Sequence, residues 1–428
     1  MTALILVLAY SALFIQVIRR NGFFRLENIP TTWLQIAFLA KVIAGSCLGW
    51  LYFSYYHDEH TGDTIKFFRD SEILFNTIHT NPRHFFMMFT GIGGSSPELR
   101  HYYESMSAWL NNDVLFNDNK TIIRLNTLFR FLSCGQYYVH VVFINFISFT
   151  GLVCLFKIFS KAMQGGNKLY FIVLFFYPSL LLWGSGLLKD GLLLFALGVL
   201  LLHFDYFISG ERGIIKMIAL GFSMVLLLFT KFYVIAAVFP GLLAWYFSKN
   251  TTGIKTALIF LLTYCIFIFI GFNIYRLYPV FDLAEILYWK QHNFFTLANI
   301  TGANSAIPIP ELEHGSWSVM INAPGAFFRS LLRPGLTDNL HHQLIVMAAI
   351  ENTLMILFFI ILLVFFRIRP INTLTPLQAF CLAVTIVIFT LIGLITPILG
   401  ALVRYKVVVF PFLAYAVMKN CDTKRILR

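Results

Sequence analysis

Charged residues are scarce in this chain. Asp, Glu, Lys and Arg make up 12% of its 428 residues, whereas apolar residues make up 58%. Soluble domains usually carry about 25% charged residues, so this composition, with a mean hydropathy of +0.76, argues against a water-soluble fold. Acidic residues are the rarer kind, at 20 against 32 basic ones. The sequence therefore predicts a protein that crosses a membrane several times.

The motifs of several functional classes are also missing. The chain has no Gly-x-x-x-x-Gly-Lys phosphate loop, no dinucleotide-binding glycine fingerprint and no zinc-ligand spacing. Four of the six cysteines lie in apolar stretches, so no disulfide or metal framework is indicated. The positive charge does not collect on polar, foldable sequence as a nucleic-acid surface requires. These absences argue against nucleotide hydrolysis within this chain and against nucleic acid as a partner.

Eleven apolar stretches approach the length of about 20 residues that a helix needs to cross a bilayer. They span residues 2–18, 33–55, 137–156, 169–187, 190–208, 214–230, 232–247, 257–275, 344–366, 377–399 and 402–418. The first is followed by Arg19 and Arg20 rather than by a small-residue cleavage site, so we expect a retained helix. The sequence thus predicts an all-α integral membrane protein with about eleven transmembrane helices, organised as one polytopic domain over residues 1–428.

Basic residues are concentrated in every second connection between these stretches. If the N-terminus is outside, the inner segments contain 16 of the 32 basic residues and three acidic ones. The basic ones are Arg19, Arg20, Arg25, Lys157, Lys161, Lys168, Arg212, Lys216, Lys249, Lys255, Arg367, Arg369, Lys419, Lys424, Arg425 and Arg428. Because short basic loops stay in the cytoplasm, we expect a protein of the bacterial cytoplasmic membrane with its N-terminus outside and its C-terminus inside.

Two long segments then fall on the outer face, residues 57–136 and residues 276–343. Connections of this length are usually functional or disordered. In the first, aromatic residues recur at roughly helical intervals, which predicts amphipathic helices at the membrane interface. An aromatic belt at the membrane surface is the alternative explanation.

The first outer segment also carries two acids at helical spacing. Asp63 and Asp70 are seven residues apart, about two turns, so a helix would place both carboxylates on one face near Lys66 and Arg69. Paired acids can act as a general base and a positioning group, or can hold a divalent cation. A solvated acidic face balanced by local bases is the other interpretation.

A second signal is the interruption of an apolar stretch over residues 178–190, which contains Pro178, Gly184 and Gly186. Irregular backbone at membrane depth tends to line a cavity, because its polar groups need partners. Lys189 and Asp190 follow directly, at the outer end of a helix. A tight hairpin in which these two charges neutralise each other would explain the pattern as well.

Three further cations reach the same outer level: Lys231, Arg333 and Arg404. An ionisable group at membrane depth costs roughly 2.5–3.5 kcal/mol, so it generally has a partner or a task. Arginine suits bidentate phosphate binding, and lysine acts as a point charge. Glu351, about two turns inside a helix, should face the protein interior opposite such a cation. Snorkelling of each cation to lipid headgroups is the alternative.

These features resemble the C-type polytopic glycosyltransferases that use lipid-linked sugars. The resemblance lies in an outer acid soon after an early helix, basic inner loops, and a late Arg404-Tyr405 pair followed by Pro411. Other short motifs resemble a set of bacterial membrane proteins, particularly from Bacteroidota. They are Gly62-Asp63-Thr64, Trp183-Gly-Ser-Gly-Leu-Leu-Lys189-Asp190, Arg333-Pro334 and Glu351-Asn352. The matches are spread over residues 57–411.

The resemblance implies a glycosyltransferase at the outer leaflet, with a polyprenyl-phosphate or polyprenyl-diphosphate sugar as donor and a glycan or lipid-linked acceptor. Asp63 would deprotonate or orient the acceptor hydroxyl, and Asp70 would position it or help to hold a divalent cation, Mg²⁺ or Mn²⁺. Positive side chains would stabilise the departing phosphate. These are Lys189, Lys231, Arg333 and Arg404, supported by Asp190, Glu351 and Tyr405.

The chain departs from the C-type pattern in the position of its acid, because Asp63 follows the second helix rather than the first. The one Asp-Glu pair nearby is Asp58-Glu59. A polysaccharide polymerase or ligase fits nearly as well, since such proteins also have many helices, large outer loops and essential arginines. A lipid-linked saccharide flippase or transporter would show paired helix breaks in two related halves. A structural subunit of an envelope assembly is the remaining alternative.

The predicted sidedness can be tested by chemical labelling. In a chain without other cysteines, we expect a membrane-impermeant maleimide to modify Asp63→Cys and Arg404→Cys in intact spheroplasts, because both positions face outward. Lys249→Cys, in an inner loop, should react only after permeabilisation. Labelling of positions 63 and 404 from opposite sides would contradict the proposed topology.

Overall fold

Every regular element in the described part of the chain is a helix. The computed structural model describes residues 2–55, 62–109, 118–163, 167–300, 302–303, 305–338, 343–365 and 371–420. Its α-helices are α1 (Thr2–Arg20), α2 (Thr31–Trp50), α3 (Asp63–Thr80), α4 (Pro82–Thr90), α5 (Arg100–Glu104), α6 (Asp118–Ser133), α7 (Tyr137–Ala162), α8 (Asn167–Phe176), α9 (Pro178–Trp183), α10 (Lys189–Ile208), α11 (Ile214–Thr230), α12 (Phe232–Ser248), α13 (Ile254–Asn273), α14 (Leu283–Ile300), α15 (Ser316–Leu332), α16 (Gln343–Phe365), α17 (Pro376–Ile395), α18 (Leu399–Val407) and α19 (Phe410–Asn420). The Asp58-Glu59 pair lies outside the described residues.

Several of these helices can cross a membrane. Seven are long and apolar enough: Thr2–Arg20, Thr31–Ser54, Tyr137–Ala162, Lys189–Ile208, Ile254–Arg276, Gln343–Leu362 and Pro376–Ile395. The bent pair of α18 and α19 forms an eighth if it crosses as one span, and the other predicted stretches hold the shorter apolar helices α8, α11 and α12. The all-α membrane fold is therefore confirmed, and the number of eleven crossings stays a prediction.

The chain divides into two compact units. Unit 1 comprises Met1–Ile158 and Phe175–Phe232, and unit 2 comprises Phe159–Leu174 and Tyr233–Arg428. The sequence predicted one polytopic domain and gave no sign of this division. Hydropathy indicates which segments lie in the membrane, but not which helices pack together.

Aromatic rings join the first helices of unit 1 to α7. Phe14 of α1 stacks on Phe146, with ring centroids 4.1 Å apart. Phe38 of α2 meets Phe146 and Phe149 edge to face. Because residues three apart share a face of a helix, one face of α7 receives both neighbours, and Phe38 and Phe149 are fully buried.

Glycines set the contact between α7 and α10. A Cβ atom on Gly198 of α10 would lie 2.1 Å from the carbonyl oxygen of Gly151 in α7, and one on Gly151 would lie 2.3 Å from the Cα of Phe195. The two backbones touch here, as small residues allow between membrane helices. This contact fixes the position of α10, whose first residues are Lys189 and Asp190.

The described helices between α2 and α7 share a hydrophobic core with α7. Of the aromatic residues at helical spacing, Phe67 and Trp109 are 2% and 3% exposed, and they pack with Leu74, Met88 and Ile122. Tyr103 stacks on Trp109 with ring centroids 5.4 Å apart. These aromatics therefore build an internal core, which is a different use from the membrane-surface belt.

Unit 2 is built around the crossing of α15 and α17. A Cβ on Gly393 of α17 would lie 2.0 Å from the carbonyl oxygen of Ala326 in α15, so these backbones also touch. The Gln291 amide of α14 donates to the carbonyl oxygens of Pro310 and Leu394 at 3.0 and 2.6 Å. Its oxygen accepts from the backbone N–H of Leu312 at 2.7 Å. The segment between α13 and α16 is thereby attached to the C-terminal end of α17.

Two of the apolar stretches contain breaks. The stretch over 169–187 consists of α8 and α9, which Pro178 separates, followed by an irregular turn at Gly184–Leu188. The stretch over 402–418 consists of α18 and α19, which meet at 60°. The first break was expected from its proline and glycines, whereas apolar sequence alone gave no sign of the second.

The glycine contact between α7 and α10 yields a stability prediction. We expect Gly198→Ala to lower the free energy of unfolding by about 1–3 kcal/mol, because the new methyl group forces the backbones apart. Gly221→Ala is the matched control: Gly221 lies in α11 with nothing within 4 Å of its Cβ position, so we expect a change of about 1 kcal/mol or less. Thermal unfolding in detergent measures both, and equal midpoints for the two variants would contradict the assignment.

Candidate functional site

Lys189 lies at the centre of a group of charged side chains in unit 1. Its ammonium nitrogen is 2.7 Å from Asp118 Oδ2 and donates to Asn119 Oδ1 at 2.8 Å. The side chain is nearly buried and lies over the Phe67 ring, 5.5 Å from its centroid. The N-terminal end of α10 is therefore attached to the beginning of α6.

Two further predicted residues join this group. Lys231, at the end of α11, lies 3.3 Å from Asp190 Oδ1, and the Asp190 side chain is completely buried. Asp63 and Lys231 are both near enough for their charges to act on the Lys189 ammonium. We call Asp63, Asp118, Asn119, Lys189, Asp190 and Lys231 the lysine–aspartate cluster.

The cluster lies where three helices begin. Asp63, Asp118 and Asp190 each occupy the first turn of their helix, α3, α6 and α10 respectively. The N-terminal end of a helix carries a partial positive charge and unpaired backbone N–H groups. A carboxylate is favoured at such a position, whereas Lys189 in the first turn of α10 requires acidic partners to offset the helix dipole. The aspartates therefore stabilise both lysines and helix ends.

A buried lysine that the sequence interpretation overlooked holds the neighbouring chain break. Lys41 of α2 is completely buried and donates to the carbonyl oxygen of Gly184 at 2.9 Å and to Ser185 Oγ at 3.1 Å. Asn145 Nδ2 donates to the carbonyl oxygen of Ser185 at 2.9 Å, and Ser148 Oγ donates to that of Gly184 at 2.8 Å. These polar groups satisfy the irregular backbone just ahead of Lys189.

Asp70 lies two turns along α3 and has a different environment. Its side chain is 1% exposed, and its two oxygens accept from the backbone N–H groups of Ser107 and Ala108 at 2.9 and 2.8 Å. Burial raises the pKa of this carboxyl above its ordinary value, although those two amides and Lys66 act to lower it. A raised pKa suits acid–base work, but the contacts are those of a carboxylate that holds the turn before Trp109.

In unit 2, the end of α15 is surrounded by polar side chains. Lys406 of α18 donates to the carbonyl oxygen of Arg333 at 2.8 Å and to Asn352 Oδ1 at 2.9 Å. Asn352 Nδ2 in turn donates to the carbonyl oxygens of Leu332 and Pro334 at 2.9 and 3.2 Å. The last carbonyl groups of a helix have no hydrogen-bond donors within the helix. Here the side chains of Lys406 and Asn352 donate to them.

The other predicted residues of unit 2 lie around this point. Glu351 is half-buried, and its charge acts on the Lys406 ammonium, which is not one of the three cations expected opposite it. Arg333 Nε is 3.4 Å from Asp338 Oδ1. Arg404 occupies the last turn of α18, and Tyr405 packs edge to face on Phe294 with ring centroids 6.4 Å apart. Arg333 and Glu351 thus lie around Lys406, whose side chain was not among the predicted site residues.

No group of three or more His, Cys, Asp or Glu side chains within the described ranges is arranged to hold a metal ion. The predicted pair of Asp63 and Asp70 also has one member whose oxygens both accept backbone amides. A divalent cation at Asp63 stays a prediction without a defined ligand set.

Some members of these groups could have been found in the sequence. Lys41 is the one charged residue in α2, an otherwise apolar helix, and a charge at that depth signals a partner. Lys406 directly follows the Arg404-Tyr405 pair in the sequence, so it could have been considered together with that motif. Asp118 and Asn119 lie in a polar stretch where nothing marks them, because their role depends on where α6 begins.

The contacts of Asp70 predict a structural effect of its removal. We expect Asp70→Asn to lower the free energy of unfolding by about 1–3 kcal/mol, because the amide can accept only one of the two buried N–H groups. Glu72→Gln is the control: Glu72 is 55% exposed and 3.4 Å from Arg130 Nη2, and exposed pairs contribute about 0–1 kcal/mol. Thermal unfolding in detergent compares the two, and an unchanged midpoint for Asp70→Asn would contradict the structural role.

Comparison with known proteins adds no assignment to this geometry. No protein-family model, no curated protein and no solved structure matches the chain. A function for the chain is therefore argued from the contacts of its own side chains.

Proposed function

We propose that the chain is a membrane glycosyltransferase that transfers a sugar from a polyprenyl-phosphate or polyprenyl-diphosphate donor to an acceptor hydroxyl at the outer face of the cytoplasmic membrane. The observation that carries the proposal is the lysine–aspartate cluster. Four separate chain regions, at residues 63, 118–119, 189–190 and 231, bring acids and ammonium groups together at the beginnings of three helices. Buried charge of this kind is costly and is usually retained for a task.

In this proposal Asp63 is the general base. It takes the proton of the acceptor hydroxyl while the oxygen attacks the anomeric carbon of the donor sugar, and the bond from that carbon to the phosphate oxygen breaks. The lipid phosphate leaves with the bonding electron pair. A base must lie within hydrogen-bond reach of the proton it removes; Asp63, half-buried at the beginning of α3, is more accessible than Asp70 or Asp190.

The cations divide into two kinds. Lys189 and Lys231 lie beside Asp118 and Asp190, so they balance these acids near Asp63. Within unit 2, Arg333 and Arg404 stay the predicted phosphate-binding residues, because a guanidinium can donate two parallel hydrogen bonds to phosphate oxygens. Stabilisation of charge on the leaving group is usually the largest contribution to such a reaction.

A polymerase or ligase is a variant of the same proposal, and product length separates the two. Addition of a single sugar indicates a transferase, whereas a ladder of products indicates a polymerase.

A transporter of lipid-linked saccharides is the second candidate, and one observation favours it. Each unit contains a broken apolar segment: the turn at Gly184–Leu188 in unit 1 and the 60° bend between α18 and α19 in unit 2. Paired breaks are typical of secondary transporters. Movement of an intact lipid-linked sugar across proteoliposomes, without formation of a new glycosidic bond, would favour this candidate over the transferase.

The transferase proposal is tested by replacing its base. We expect Asp63→Asn to lower the rate of sugar transfer by about 10²–10⁴-fold, the usual contribution of a general base, with little change in thermal stability. Glu104→Gln is the control, because Glu104 is an exposed acid of the same unit paired with Arg100. The measurement is transfer of labelled sugar by the purified protein, and full turnover by Asp63→Asn would refute the assignment.

A further inference from the structure

Two arginines near the end of α15 have hydrogen-bond donors without acceptors. Arg329 Nε and Arg333 Nη1 are buried atoms, and neither has a hydrogen-bond partner in the part of the chain that the structure describes. A buried donor without an acceptor is destabilising, so buried polar groups nearly always have a partner. We call these two residues the arginine pair.

Other atoms of the same guanidinium groups are held by the protein. Arg329 Nη2 donates to the carbonyl oxygen of Gly393 at 3.3 Å. Arg333 Nε lies 3.4 Å from Asp338 Oδ1, and the other oxygen of Asp338 accepts from the backbone N–H of Gly335 at 2.8 Å. In each guanidinium one nitrogen is therefore held by a protein oxygen, and another nitrogen has a donor without an acceptor.

The arginine pair is also a concentration of positive charge. Arg333 directly follows the last residue of α15, four residues after Arg329. Burial and, to a smaller extent, the charge of Arg333 lower the pKa of the Arg329 guanidinium. The groups are thus close enough to repel each other, and an anion between them would remove that repulsion. The nearby Lys406 ammonium is already used, since it donates to Asn352 and to backbone carbonyls.

The exposed face of α15 indicates what kind of anion this is. Trp317, Ile321, Phe328 and Leu332 are 74%, 64%, 57% and 48% exposed, and their spacing places them on one side of the helix. In a membrane protein such a face lies against lipid, with tryptophan at the headgroup level. By helical geometry Arg329 lies between this face and the buried face of Ala326 and Ser330, and Arg333, in extended backbone, directly follows the helix. A ligand of the pair therefore has lipid beside it.

We propose that Arg329 and Arg333 together bind the phosphate group of a lipid. The guanidinium forks match phosphate oxygens, and the apolar face of α15 lies beside the lipid chain. The inference deepens the proposed function, on which the choice of a polyprenyl phosphate as ligand rests. It adds Arg329, which sequence interpretation did not select, as a second ligand to the donor phosphate.

Binding to the full-length protein in phosphatidylcholine nanodiscs tests the proposal directly. The probes are a polyprenyl phosphate, the corresponding polyprenol, phosphatidylglycerol and inorganic phosphate. We expect the wild-type protein to bind the polyprenyl phosphate at least about tenfold more tightly than the polyprenol, and Arg329→Gln or Arg333→Gln to remove that difference. Arg276→Gln, which replaces an exposed arginine of the same unit, should leave it unchanged.

Conservative variants and a stability measurement separate binding from folding. Arg329→Lys retains the charge without the fork, so we expect intermediate affinity with a wild-type thermal midpoint. If both glutamine variants fold and bind the polyprenyl phosphate as the wild-type protein does, the proposal is wrong. Equal affinity for inorganic phosphate would overturn the lipid part of it. Equal affinity for phosphatidylglycerol would support a lipid-phosphate site and overturn its link to the donor.

The same experiment distinguishes this inference from the proposed function. If the protein transfers sugar but its Arg329→Gln and Arg333→Gln variants bind the polyprenyl phosphate as the wild-type protein does, the arginine site is refuted. The transferase proposal then still stands. The opposite result is also possible: the wild-type protein binds the polyprenyl phosphate, the glutamine variants do not, and no sugar is transferred. This result would support the arginine site and refute the transferase.

Discussion

The structure depends on one constraint, the need to give partners to backbone carbonyl groups where an apolar segment stops being helical. Water is not available there, and each unpaired group costs several kcal/mol. Both units meet the constraint with the same pair of side chains, a buried lysine and an asparagine. In unit 1 these are Lys41 and Asn145 at the Gly184-Ser185 break. In unit 2 they are Lys406 and Asn352 at the end of α15.

Each supported break lies directly beside the charged residues of a candidate site. Lys189 and Asp190 follow the break that Lys41 holds, and Arg333 belongs to the turn that Lys406 holds. The irregular backbone ends one helix directly before the charged residues. The buried lysine and asparagine hydrogen bonds fix the backbone at each break. The neighbouring charged side chains can therefore be held in place without solvent. Glycine is needed beside the break in unit 1, since a Cβ on Gly45 would lie 2.2 Å from the carbonyl oxygen of Ser185.

Hydropathy and charge placement predicted the helical membrane fold, because apolar stretches of sufficient length have few alternatives in a bilayer. Within unit 1 the predicted site residues Asp63, Lys189 and Lys231 lie in one cluster, whereas their outer location and their roles stay predictions. Sequence spacing did not predict the environment of Asp70, because its partners Ser107 and Ala108 are brought to it by the folding of a polar segment. The bend between α18 and α19 was also missed, although Pro411, the second residue of α19, marks the beginning of a new helix.

The two units differ in the sign of the charge they concentrate. The lysine–aspartate cluster has three acids for two lysines, whereas the end of α15 has the arginine pair and Lys406 with Asp338 and Glu351 as the acids in contact or electrostatic range. A transporter built from equivalent halves would require similar chemistry in each half. The unequal distribution of acids and guanidinium groups therefore argues against a transporter built from two equivalent halves, although each unit contains a broken helix.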